Sequence, residues 1–277
     1  MLQTRLNIRR PAVAGSFYPA EPEALAAEVD GLLRGAESGA GAESGDLVAL
    51  IAPHAGYIYS GPIAASAYAC LASRQPKFRK VVLIGPDHHV GFGGLAASSA
   101  RAFETPLGLV PQDRAALDRV LQLPQVKILD DAHARGHSLE VHLPFLQKVL
   151  GDFEVVALVA GQASPEEVSQ AFDVLLDDDE TLLVVSTDLS HYLDYETAGR
   201  TDAATVEAIC ALKQDGVGDR DACGRVPVRG LMRWARQRGL HAEALAVRNS
   251  GDTAGDKSRV VGYASVIFTR DDRTAVS

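Results

Sequence analysis

Four short segments of this chain carry side chains able to bind a metal or move a proton. They are PHAGY at 53–57, GPDHH at 85–89, GHSLEVHLP at 136–144 and VVSTDLSHY at 184–192. In the first two, an apolar, β-branched run stops at a proline and then presents histidine: His54 in one, His88 and His89 in the other. Imidazole is the commonest metal-binding side chain, and two runs that end alike point to one shared metal site. A lone His54 also reads as a turn histidine bonding its own loop. Adjacent residues diverge, so at most one of His88 and His89 meets an ion, and the other orients a partner or touches substrate.

The third segment reads as a helix from Ser138, with Ser138 and His142 on one face and His137 at the cap. His142 can equally pack among Leu139, Leu143 and Leu146, and no HExxH zinc signature occurs anywhere. In the fourth, Asp188 and His191 follow an apolar run and stand as a ligand, an acid–base pair or an N-cap with its neighbour. Cys223, in DACGRVP, precedes a helix begun near Pro227; a thiol there is expected to have a lowered pKa. Cys70 and Cys210 fall on apolar helical patterns and belong to the core, while His133 and His241 have no company.

The elements that must position these residues alternate. Strands are expected at 47–52, 80–85, 153–160 and 181–187, with late strands at 242–248 and 259–269. Helices are expected at 21–34, 61–73, 112–122, from Ser138, after Ser164-Pro165, at 198–213 and at 227–239. GAESGAGAESG at 35–45 reads as a flexible connector. The pattern predicts one α/β domain over 1–277, with a central, largely parallel or mixed sheet flanked by helices. Ligand sites in such sheets gather beyond the carboxyl ends of the strands, which is where the polar segments fall.

Composition narrows the function. Apolar residues make up 47% of the 277, enough for a full core, yet no stretch is long enough to span a membrane. A net charge of −9 argues against nonspecific nucleic-acid binding. The N-terminus lacks a secretory apolar region, and three scattered cysteines make no disulfide framework, so a cytoplasmic location is expected. No Walker loop, G-x-G-x-x-G or G-x-S-x-G is present.

Six motifs in order, AGSFYP (14–19), APHAGYIYSG (52–61), LIGPDHH (83–89), HSLEVHLPF (137–145), STDLSHY (186–192) and ACGRVP (222–227), resemble the Memo family. Its bacterial members are called AmmeMemoRadiSam system protein B. The resemblance implies a fold similar to the class III extradiol dioxygenases. Carried over by position, it places a metal site on His54, His88 and Cys223, with His142, Asp188 and His191 around it as catalytic candidates. His137 matches a family histidine, and Asp87, beside His88, becomes a secondary candidate ligand. Iron(II) is the first expectation for the metal, copper or zinc the alternatives, and redox or dioxygenase-like chemistry the implied activity. The competing reading is a non-enzymatic iron- or copper-binding or peptide-binding protein. The implied partners are AMMECR1-like and radical-SAM proteins, together with a small molecule or peptide.

Overall fold

Runs such as LVALIA and KVVLIG bury both of their faces, so the sheet they form needs a helical layer on each side. A computed structural model of the chain describes residues 7–37, 45–72, 78–253 and 255–271. Most of the expected connector lies outside the described residues.

The chain begins with β1 (Ile8–Arg9), α1 (Pro22–Glu37), β2 (Asp46–Ala52), α2 (Tyr57–Ala72) and β3 (Lys80–Pro86). A run of short elements follows: β4 (Leu95–Ala97), β5 (Ala102–Thr105), β6 (Gly108–Pro111), α3 (Arg114–Val120), β7 (Val126–Ile128) and α4 (Asp130–Ala134). Then come α5 (Leu143–Leu150), β8 (Glu154–Ala160), α6 (Pro165–Leu175), β9 (Thr181–Ser186) and β10 (His191–Leu193). The last elements are α7 (Tyr195–Cys210), α8 (Arg225–Gln237), β11 (His241–Asn249), α9 (Ser250–Thr253) and β12 (Val260–Arg270).

Among the described residues, the main sheet runs β10-β12-β2-β9-β3-β8-β4-β7, with β11 also paired to β12. Its centre, β2-β9-β3-β8, is parallel, while β10, β11 and β12 add an antiparallel margin. The mixed α/β fold expected from the sequence is therefore present. Strand side chains alternate between two cores. Ile51, Ile84, Leu158 and Val185 meet Phe172 and Trp234 on one face. Leu50, Leu83, Ala157 and Val184 meet Leu25, Tyr68 and Phe145 on the other. Burial of each large apolar side chain stabilises the fold by about 1.5–3 kcal/mol.

Besides several short elements, the structure differs from the expected ones in ways that bear on the site. The helix expected from Gly61 starts at Tyr57 and carries Pro62 within it. The helix expected from Ser138 divides: a 3₁₀ turn spans Glu140–His142, and α5 starts at Leu143 with Pro144 in its first turn. A continuous helix from Ser138 would have put that proline in its interior, at the cost of a hydrogen bond and a clash. The strands β1, β5 and β6 form a separate small sheet that the sequence reading did not contain. Where chain punctuation was explicit it held: Ser164 caps α6 in a capping box with Glu167, and Pro165 follows. No helix among the described residues is long and apolar enough to cross a membrane.

Candidate metal centre

The neighbouring parallel strands β2, β9 and β3 end at the same rim of the sheet. Two residues beyond each end stand His54, Asp188 and His88 respectively. Cys223 reaches the rim from the other core, in the loop before α8. Its backbone N–H donates to the Asp188 carbonyl at 3.2 Å, and the Asp188 N–H donates to its sulfur at 3.3 Å. Gly224 permits this approach, since a Cβ there would lie 2.5 Å from the Ser186 carbonyl.

The Nε2 of His54 lies 3.3 Å from the Nε2 of His88 and 3.3 Å from the Cys223 sulfur. One donor atom from each of the three lies within 4.8 Å of the others. Nitrogen and sulfur donors about 2.0–2.3 Å from a common ion at a tetrahedral angle stand roughly 3.3–3.6 Å apart. The donor set and its spacing fit a metal ion.

Ser186, the last residue of β9, sets the protonation of the histidines. Its Oγ lies 2.5 Å from the Ser138 carbonyl, which can only accept, so the hydroxyl proton points there. Both imidazoles on the same Oγ must then donate: His54 through Nδ1 at 2.6 Å and His142 through Nε2 at 2.8 Å. His54 is thereby left with its lone pair on Nε2, facing His88 and Cys223. His142 Nδ1 in turn accepts from the Tyr68 hydroxyl at 2.8 Å. Nothing in the sequence marks this serine; it was missed.

A cavity of about 490 Å³ opens beside the trio, with Asp188, His137 and His191 in its lining. Phe17, Tyr59, Tyr192 and Tyr263 supply aromatic walls. Asp188 accepts the His54 backbone N–H at 2.8 Å, and burial pushes its carboxyl up to about 7 despite that bond and one from Ala55. It makes no hydrogen bond to His191, whose Nδ1–H donates instead to the Leu189 carbonyl at 2.8 Å. His142 lies behind Ser186, fully buried and off the cavity lining, and reaches the trio only through that hydroxyl. Asp87 accepts backbone N–H groups of its own loop, from His89, Val90 and Gly91, and is not in the group of donors that converge with His54. His89 is exposed beside it.

The expected lowering of the Cys223 pKa does not hold in the metal-free protein. Burial and the Asp188 carboxylate push the thiol up to about 12, outweighing the hydrogen bonds it receives and the start of α8. Burial, reinforced by neighbouring imidazoles, holds His54 well below the usual histidine range. The same cause brings His142 to about 3 and His133 to about 4. His133, which has no company in the sequence, is buried on α4 with its Nε2 on the Ala96 carbonyl.

These shifts predict acid lability. Below pH 6.5 the unfolded chain protonates histidines that the folded His54, His133 and His142 leave neutral, so stability falls with pH. Asp188 opposes this, because its raised pKa lets the folded state take a proton between about pH 7 and 4. His137 is likewise lowered to about 4, and four histidines against one aspartate leave a loss of roughly 3 kcal/mol per pH unit between pH 6 and 5. Urea denaturation of the metal-free protein at pH 7, 6 and 5 checks this; equal midpoints would refute it.

The family model for Memo-like protein matches residues 9–267, and the chain belongs to that family. A MEMO1 family protein of Methanopyrus kandleri is 36% identical over 286 residues, covering 95% of this chain and 99% of that protein. One from Aeropyrum pernix is 38% identical over 286 residues, covering 94% and 99%. Among solved structures, an uncharacterized protein of Escherichia coli K12 superposes with a TM-score of 0.54 over 80% of this chain and 99% of its own. At 16% identity that likeness speaks to the fold.

Proposed function

We propose that this chain binds a single metal ion through His54, His88 and Cys223, iron(II) foremost, and uses it for redox or dioxygenase-like chemistry on a small molecule. The observation that carries the reading is the pair of 3.3 Å separations around the His54 Nε2, with the lone pair of that nitrogen turned toward the other two donors by Ser186. Iron(II) held by these three would supply one-electron redox chemistry and open coordination positions, as facial triads do. The chain's own residues do the rest. The cavity beside the trio admits a small molecule and encloses it among Phe17, Tyr59 and Tyr263. Asp188, whose carboxyl burial pushes up and which a bound cation would hold ionised, is placed to accept a proton there. His191 presents its Nε2 lone pair, since its other nitrogen is committed to Leu189. His142 holds Ser186, and through it the orientation of His54.

A second reading is favoured by the sulfur donor: a thiolate in place of a carboxylate suits copper and metal retention without turnover. The two separate in one anaerobic experiment. Iron(II) titrated into metal-free protein is expected to bind one ion per chain, and His54→Ala to bind none. Exposure of the loaded protein to dioxygen with and without catechols then distinguishes an enzyme, which consumes dioxygen catalytically, from a metal carrier, which does not.

A further inference from the structure

The three residues of the trio are held in different ways. His54 is fixed by its Nδ1 hydrogen bond to Ser186, and Cys223 by the reciprocal backbone contacts with Asp188. His88 has no such anchor: its one hydrogen-bond contact among the described residues is to the His54 Nε2 itself. It stands at the start of the exposed loop that follows β3, and water does not hold a ring in one orientation. What touches its face is another ring. His137 lies nearly parallel to it, with centroids 5.0 Å apart and 12° between planes. Behind His137 comes Phe17, 4.7 Å away and tilted by 46°.

We propose that His137 is a positioning residue for His88, acting by ring stacking rather than through its nitrogens, and that Phe17 is the wall against which it leans. The inference rests on the metal reading above but assigns a role that reading does not need. His137 does not belong to the group of donors that converge within 4.8 Å; it meets His88 face-on and His54 only edge-on, with centroids 5.4 Å apart, so it acts on the ion chiefly through His88. Ring centroids 4.5–7 Å apart are in the range of favourable aromatic pairing. Phe17 is itself tied down, because its carbonyl accepts the Tyr57 N–H at 2.8 Å at the start of α2. The N-terminal segment thus reaches the metal centre as the last member of a stack, Phe17–His137–His88.

Stacking and ligation differ in what a phenyl ring can replace. In His137→Phe the ring remains and both nitrogens are lost; in His137→Ala the ring goes too. The probe is cobalt(II), titrated anaerobically into metal-free protein, with affinity and the visible absorption bands as readouts. His137→Ala is expected to weaken cobalt(II) binding about tenfold or more and to alter the bands, the size usual for loss of an outer support. His137→Phe is expected to stay within about threefold of the unaltered protein with unaltered bands, and Phe17→Ala to weaken binding severalfold. If His137→Phe is as weak as His137→Ala, the nitrogens matter and the proposal falls. It falls equally if His137→Ala binds like the unaltered protein. Should His137→Ala fail to fold by circular dichroism, the Phe variant and Phe17→Ala decide alone: both unchanged, or both equally weak, refutes stacking. Failure of the metal reading itself looks different, since cobalt(II) would then bind equally well to the unaltered protein and to His54→Ala.

Discussion

Metal uptake at pH 7 is expected to expel more than one proton per ion, and Cys223→Ala to cut the release to the fraction that Asp188 supplies and to remove most of the affinity. The sulfur can bind only as thiolate, yet in the metal-free protein its pKa is pushed up to about 12, so it enters protonated. The histidines contribute little at this pH, because His54 and His88 are both held below the ordinary histidine range. Asp188 adds a fraction: it is near half-protonated at pH 7, its Oδ2 is 4.0 Å from the His54 Nε2, and a bound cation favours its ionised form. Affinity should therefore rise about tenfold per pH unit between pH 8 and 9, and more steeply near pH 6, where Asp188 must also lose its proton. Calorimetric titration in buffers of different ionisation enthalpy counts the protons directly. Release of well under one proton would remove Cys223 from the site and leave His54 and His88 to bind with a carboxylate.

The parts of this centre that could be read from the chain were those with a local pattern. His54 and His88 were visible because an apolar run, a proline and an imidazole are contiguous in sequence. The run buries itself in the sheet, and the proline ends it at the rim. Cys223 had no comparable mark. It stands 169 residues from His54, and only the resemblance of ACGRVP joined them. Its titration was misjudged because a helix start is a local feature, whereas burial and the charge of Asp188 come from elsewhere in the fold. Ser186 was invisible for the same reason: a serine ending a strand is ordinary, and its role depends on Ser138, His54 and His142 meeting there. The short strands β4 to β7 are too brief to show a period of two, so the small sheet and the margin of the large one were read as loop. His54 alone also reads from the sequence as a turn histidine bonding its own loop, yet its ring bonds Ser186 on another strand. His54 is 1% exposed, and its loss removes one of the two imidazole donors on Ser186 and opens space in a buried site.

Glu140→Ala is expected to be among the most destabilising single substitutions in the chain, although Glu140 touches no part of the metal centre. Its side chain is fully enclosed and pairs with Arg9, itself nearly buried. The same carboxylate accepts the backbone N–H of Ala12 at 2.7 Å, that of Val13 at 3.0 Å and the Tyr18 hydroxyl at 2.5 Å. Arg9 further donates to the carbonyls of His133 and Gly136. One acid on the 3₁₀ turn before α5 therefore folds residues 9–18 onto the body of the domain. Truncation strands a buried guanidinium and three other donors, a loss of about 3–5 kcal/mol, against a total stability of about 5–15 kcal/mol. For a chain of this size the melting temperature should drop by roughly 10 °C. Replacing both partners, Arg9→Met with Glu140→Ala, is expected to recover only part of this. It removes the unpaired charge but leaves the N–H groups of Ala12 and Val13 and the Tyr18 hydroxyl without an acceptor. Chemical denaturation of the two variants measures the difference. A double variant as stable as the unaltered protein would mean that the ion pair alone matters. A Glu140→Ala protein within 1 kcal/mol of the parent would mean that the N-terminal segment is held by its apolar contacts instead, Phe17 and Tyr18 foremost.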